Sequence, residues 1–88
     1  MVTWRIVLSR KAAKDAKKLS RAGLRSQAEK LFEILVADPY ASYPSYEKLV
    51  GNLSGYYSRR INIQHRLVYS VDEEQRLVHV LRMWSHYE

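Results

Sequence analysis

Asp38-Pro39 divides the chain into two parts with different hydrophobic periods, and few folds accept that order. Ahead of it, apolar residues recur at helical spacing. Leu24, Ala28, Leu31, Phe32 and Leu35 fall at i, i+4, i+7, i+8 and i+11, the pattern of an amphipathic helix over 24–37. Residues 10–22 are rich in Ala, Lys and Leu, with Ala12, Ala16 and Leu19 on one stripe. Ser9 is placed as the N-cap of that helix and Gly23 is placed to end it. Proline disfavours helix in the residue before it, which stops the second helix at Asp38. Trp4, Ile6 and Leu8 alternate before the first helix and predict a strand over 3–8.

After Pro39 the helical period vanishes. Tyr40, Tyr43 and Tyr46 with Pro44 form a tyrosine-rich connection, and β-rich segments follow at 46–50, 56–61, 66–71 and 76–84. The polar breaks at 62–65 and 72–75 are of hairpin length. One strand, two helices and then three or four strands predict an α+β fold. In it, a helix hairpin packs on one face of a twisted, mainly antiparallel sheet of four to five strands. At 88 residues and 10.4 kDa the chain is expected to form one domain over 1–88, with one modest core. Cysteine is absent, which excludes disulfides and thiolate chemistry. No apolar run approaches the ~18 residues of a membrane span, and no signal-peptide stretch opens the chain, so a cytoplasmic location is expected.

The charge is strongly basic, +6 with a pI near 9.8. It is also concentrated: between Arg5 and Lys30 there are nine Lys or Arg against two acids, Asp15 and Glu29. Such a domain suits a polyanion or an acidic protein partner.

A hairpin turn centred near Ile63 sets Arg60 opposite Arg66 and Ile61 opposite His65. Side chains alternate along a strand, so both arginines leave the same face while Leu67, Tyr69 and Val71 turn to the helices. Two arginines directly opposite repel each other, a cost that an anionic ligand offsets. Glu47 is an isolated acid after the tyrosine-rich connection, either a general base or a solvated strand-edge charge. His86 and Tyr87 close the chain, and the apolar strand before them would hold that tail in place. His65 at a turn and His79 in a strand read as structural. Metal-ligand spacing and a phosphate-binding glycine loop are both lacking. What remains is side-chain acid-base catalysis on a phosphodiester, with arginines offsetting its charge and tyrosines supplying faces for stacking.

The run NLSGYYSRRINIQHRLVYSV, residues 52–71, closely resembles the signature of the YoeB/Txe family of toxins in the RelE superfamily. Glu47 upstream and the closing His86-Tyr87 complete the pattern. The resemblance implies a RelE-like fold and a type II toxin that cleaves mRNA in the ribosomal A site. It implies Glu47 as general base on the ribose 2′-hydroxyl and His86 as general acid to the leaving 5′-oxygen. Arg66, with Arg60, would stabilise the charge on phosphorus, and Tyr87 would position substrate. No cofactor and no metal are implied. The implied partners are a YefM/Phd-type antitoxin, the ribosome with its mRNA, operator DNA only through the antitoxin, and a second copy of the chain as a candidate; no membrane is implied. The basic stretch 10–30 would dock on ribosomal RNA.

The chain departs from the family in two places. Glu47-Lys48-Leu49-Val50 stands where the family usually reads Glu-Pro-Leu-Lys, and Lys48 is the nearest replacement for the lysine missing at Val50. Adjacent strand positions face opposite ways, however, so Lys48 is not expected to reach substrate from the same side as Glu47. The tail Arg82-Met83-Trp84-Ser85-His86 is also one residue longer than usual, with Glu88 after the tyrosine. Two other functions fit the same fold: a binding toxin of the ParE kind that acts on gyrase, and an operator-binding corepressor. The joint presence of Glu47, Arg66 and His86 favours the nuclease over both.

Overall fold

Ser9 shows how the helices are fixed to the sheet. Its Oγ accepts from the Ala12 N–H at 3.0 Å, capping the first helix, and donates to the Leu81 carbonyl at 2.8 Å. Helix start and strand docking are thus one contact. In the computed structural model, which describes residues 3–43 and 45–84, strand β1 (Arg5–Leu8) leads into helices α1 (Arg10–Arg21) and α2 (Arg25–Ala37). Between the helices Gly23 has φ of +77°. Its N–H bonds the Ser20 carbonyl and the Leu24 N–H bonds that of Leu19, a Schellman ending that only glycine enters without strain. At the far end of α2, the Asp38 carboxylate accepts from the Tyr40 N–H at 2.9 Å and turns the chain towards the sheet.

Four more strands follow: β2 (Tyr46–Lys48), β3 (Tyr57–Arg60), β4 (Arg66–Asp72) and β5 (Leu77–Arg82). They form a five-stranded sheet in the order β1-β5-β4-β3-β2. The first strand runs parallel to the last, and every other pair is antiparallel. The expected α+β architecture is therefore present, with both helices on one face. Trp4, Leu19, Leu31, Leu35, Tyr69 and Met83 are among the buried side chains between the layers. The β2 strand is shorter than its sequence suggests, because Gly51 (φ +69°) opens a 3-10 turn at Gly51–Leu53.

β5 also stops early, at Arg82, and the reason is Asp15. Its carboxylate is 3% exposed and accepts from Arg82 Nε at 2.8 Å and from the Met83 N–H at 3.1 Å. A β-bulge at Leu81 precedes this contact and sets Arg82 opposite Val68. Asp15 thus fixes the point where the chain leaves the sheet. It lies three residues after Ala12 and four before Leu19, on the buried stripe of α1, so its burial follows from the helical period.

Asp15 is buried but Arg82 keeps a third of its side chain in solvent, so loss of the acid leaves the Met83 N–H unpaired while water takes the guanidinium. Asp15→Ala is therefore expected to lose about 1–3 kcal/mol in a denaturant titration. Asp15→Asn, which keeps an oxygen for the Met83 N–H, is expected to lose less. Equal stability of all three proteins would show that the pair does not anchor β5.

Candidate active site

The sheet face turned away from the helices carries the arginines. Arg60 and Arg66 are paired across β3 and β4, as the hairpin arithmetic predicts. The Ile61 N–H bonds the His65 carbonyl at 2.8 Å, which closes the turn in that register. Asn62 supplies the turn chemistry, with its Oδ1 accepting from the N–H groups of Gln64 and His65.

β2 brings the acid. Glu47 pairs with Ser58 on β3, and Ser58 pairs with Val68 on β4. Glu47 is thus one strand beyond Ser58 and diagonal to Arg66. Arg66 Nη1 spans that diagonal and donates to Glu47 Oε1 at 2.9 Å. The same nitrogen lies 3.5 Å from Ser58 Oγ. Arg60 is exposed and has no ion-pair partner among the described residues.

Burial sets the character of the Glu47–Arg66 pair. The Glu47 side chain is 64% exposed and that of Arg66 22%. Exposed ion pairs of this kind contribute about 0–1 kcal/mol, so a phosphate can take the guanidinium from the carboxylate at little cost. Separated, the pair becomes a free carboxylate and a fork of N–H donors on one face, with a second guanidinium alongside. A base and an anion-stabilising group side by side are what acid-base chemistry on a phosphodiester requires.

Lys48 does not join them. It pairs with Tyr57, is exposed, and makes no side-chain hydrogen bond or ion pair with Glu47 or Arg66 among the described residues, in keeping with strand alternation. His86 and Tyr87 lie outside the described residues. Trp84, the last described residue, is held at three points. Its ring stacks on His65 with centroids 4.1 Å apart. Lys18 Nζ from α1 stands 5.8 Å above it. Its carbonyl accepts from the Arg66 N–H at 3.3 Å. The described residues therefore end against the backbone of Arg66. His65 is buried under the Trp84 ring, in keeping with a structural role at its turn, and its buried Nδ1 has no partner among the described residues.

The residue that composition and motif leave unmarked is Arg59. It is 1% exposed, on the core side of β3. It donates from Nε to the Tyr69 hydroxyl at 3.1 Å and from Nη2 to the carbonyls of Pro39 and Ala41 at 3.1 and 2.8 Å. The guanidinium also lies 4.9 Å from the centroid of the Tyr46 ring. Tyr69 in turn donates to the Pro39 carbonyl at 2.7 Å. Burial pushes the Tyr69 hydroxyl above the ordinary tyrosine range, against the opposing pull of Arg59, so it stays a neutral donor. Alternation from Arg60 was the available signal, since it puts Arg59 on the same side as Leu67 and Tyr69.

Among the described residues no cluster of three or more His, Cys, Asp or Glu is arranged to hold a metal ion. An apolar groove of about 270 Å³ does exist between α1 and α2, lined by Leu19, Ala28, Phe32 and Met83 among others. It lies in the helical layer and has no part in the Glu47–Arg66 geometry.

Residues 11–87 match the model of a family described as YoeB-like toxins of bacterial type II toxin-antitoxin systems. The chain is 41% identical over 64 residues to a Toxin YoeB of Synechocystis sp., covering 73% of this chain and 67% of that protein. A YoeB/ParE toxin from Agrobacterium tumefaciens superposes with a TM-score of 0.85 at 28% identity, covering 94% and 99% of the two chains. A chain from the heterotetrameric YoeB-YefM toxin-antitoxin complex of Staphylococcus aureus gives 0.80 at 32% identity, covering 96% and 98%. A family match over nearly the whole chain, on top of the fold and the paired arginines, leaves one assignment: this chain is a member of the YoeB-like toxins of bacterial type II toxin-antitoxin systems.

Proposed function

We propose that the chain is a ribosome-dependent endoribonuclease that cuts mRNA by side-chain acid-base catalysis and is neutralised by a YefM/Phd-type antitoxin. The observation that carries this reading is the 2.9 Å approach of Glu47 to Arg66 on an open face, with Arg60 directly opposite Arg66. In the proposed reaction Glu47 takes the proton of a ribose 2′-hydroxyl, and that oxygen attacks the adjacent phosphorus. The bond to the 5′-oxygen breaks, and His86 gives that oxygen a proton. The products are a 2′,3′-cyclic phosphate and a 5′-hydroxyl. Arg66 and Arg60 meet the charge that develops on the phosphoryl oxygens, for which the forked guanidinium is well suited. Tyr87 serves substrate binding, whereas Lys48, on the opposite face of the edge strand β2 from Glu47, adds only charge at a distance from the reacting phosphate.

The ribosome supplies what this site lacks. Glu47 is mostly exposed, so on free RNA nothing but the arginines fixes the 2′-hydroxyl in line. Positioning can be worth roughly 7–11 kcal/mol of the barrier, and a ribosome holding the message would provide it. The exposed lysines and arginines of α1 supply the docking charge. Lys18 is set aside from that surface because it stands over Trp84. The antitoxin reading is supported by the S. aureus toxin, which was solved with YefM, and by the +6 charge, which calls for an acidic cover over the arginine face. The site of action is the cytoplasm, where ribosomes translate.

Purified protein added to translating ribosomes is expected to cut mRNA, and toeprinting locates the cut. Arg66→Ala is expected to lower the rate about 10²–10³-fold, the usual loss for a group that meets transition-state charge. A folded Arg66→Ala protein that cuts at the full rate would remove Arg66 from the mechanism, and wild-type protein that arrests growth without cutting would falsify the nuclease reading and favour a binding toxin.

Docking is tested separately. Neutral replacements of Lys14, Lys17 and Arg21 together are expected to reduce cleavage on ribosomes, most strongly at low salt and with a shallower salt dependence than wild type, and to leave slow cleavage of free RNA unchanged. Equal loss on both substrates would place those residues in the fold or the active site instead.

A further inference from the structure

The sheet face that carries Glu47 and Arg66 continues, at its other end, into a hollow that the proposed chemistry does not use. Val7 pairs with His79, and His79 pairs with Ser70. Extending the Tyr57–Tyr69 register by one residue sets Tyr56 opposite Ser70. Val7, His79 and Ser70 thus form one row across β1, β5 and β4, with Tyr56, the residue before β3, at its end. Ser70 is the small member, and beside it Tyr56, His79, Val7, Leu8 and Leu81 line a depression of about 130 Å³. Val7 and Leu8 are 42% and 37% exposed there. The other large exposed apolar residues, Tyr43, Val50 and Ile63, are scattered singly along loops and need no explanation.

We infer that this depression is a base-binding subsite for the same RNA strand, holding one nucleobase away from the scissile phosphate. The inference rests on the nuclease reading above and adds to it where a neighbouring nucleotide is held. Its chemistry fits a base: a tyrosine ring and an imidazole offer faces for stacking, and the aliphatic groups of Val7 and Leu81 offer apolar contact. Its position fits as well. Ser70 is four residues along β4 from Arg66, or about 13 Å, a distance that a few nucleotides at 3.4 Å stacked rise would span.

Charge gives the strand an end. Beyond His79, the end of β4 and the turn after it carry Asp72, Glu73 and Glu74, which border a second hollow with Ser70 and His79. A phosphate chain is attracted at the Arg60–Arg66 end of the face and repelled at this one. The backbone is thereby kept towards the arginines, with a base turned into the apolar depression and the RNA path ending there. An extended peptide would need partners for its backbone across the whole face, whereas the depression offers one compact apolar seat.

The test uses a six-nucleotide RNA with 2′-O-methyl groups throughout, which cannot be cut, so binding is read without catalysis. Each base is removed in turn by an abasic substitution, and affinity is measured by fluorescence polarisation at low salt. For the wild-type protein, one position is expected to lose about tenfold on base removal, the scale of one stacked base. In His79→Ala, an exposed strand position, and in Tyr56→Leu, that selective loss is expected to shrink or vanish. Arg66→Ala is expected to weaken all the oligonucleotides together and to leave the selective loss in place.

If no position is selective, or if the selectivity survives in both His79→Ala and Tyr56→Leu, the subsite is wrong. The nuclease reading, tested by toeprinting on ribosomes, then still stands. If the wild-type protein binds none of the oligonucleotides, the subsite fails with no bearing on cleavage of ribosome-held mRNA. If the hollow instead binds an acidic peptide that base-bearing RNA cannot displace, it is a protein-docking surface and the inference is overturned.

Discussion

The buried guanidinium of Arg59 governs where the face that carries Glu47 and Arg66 can be. An arginine 1% exposed would be costly by several kcal/mol without partners, so the fold must bring acceptors to it. Those acceptors are the carbonyls of Pro39 and Ala41 and the hydroxyl of Tyr69, with the ring of Tyr46 against the guanidinium. Two of the acceptors belong to the segment that joins α2 to β2. Satisfying Arg59 therefore draws that segment against the core side of β3 and lays β2 along the sheet edge. Only then does Glu47 come beside Ser58 and within reach of Arg66.

One strand thus does two jobs by alternation. Tyr57 and Arg59 turn inward to the helices and the linker, while Ser58 and Arg60 turn to the opposite face, where Ser58 is buried and Arg60 exposed. A shift of one residue in register would exchange the two sets, putting Arg60 in the core and Tyr57 in solvent. The tight turn at Asn62, with its side chain bonded to two backbone N–H groups, guards against that shift.

Two ion pairs of nearly equal length have opposite uses. Arg82 meets Asp15 at 2.8 Å and Arg66 meets Glu47 at 2.9 Å. The Asp15 side chain is 3% exposed and that of Glu47 64%. The first pair cannot open without leaving buried groups unpaired, so it anchors the end of β5. The second opens at little cost, so its members remain available to a ligand. Distance alone would not separate an anchor from a site.

Much of this is legible in the sequence, and the physical reason is locality. Helix period, the Ser9 cap, the Gly23 ending and the Asp38-Pro39 stop are each set by neighbours within four residues. The Arg60–Arg66 pairing is also local, because a short hairpin fixes its register. What the sequence does not determine is any contact made across the chain. Asp15 looks like one acid in a basic helix until β5 delivers Arg82 and the Met83 N–H to it, 67 and 68 residues later. Arg59 looks like half of an arginine pair until the linker closes over it. The 2.9 Å contact of Glu47 with Arg66 and the row from Val7 to Tyr56 were decided by the order of strands in the sheet. Local sequence determined the elements and which residues share a face. The tertiary structure decided which strands are neighbours, because that follows from burying all the apolar faces and pairing the buried charges at once.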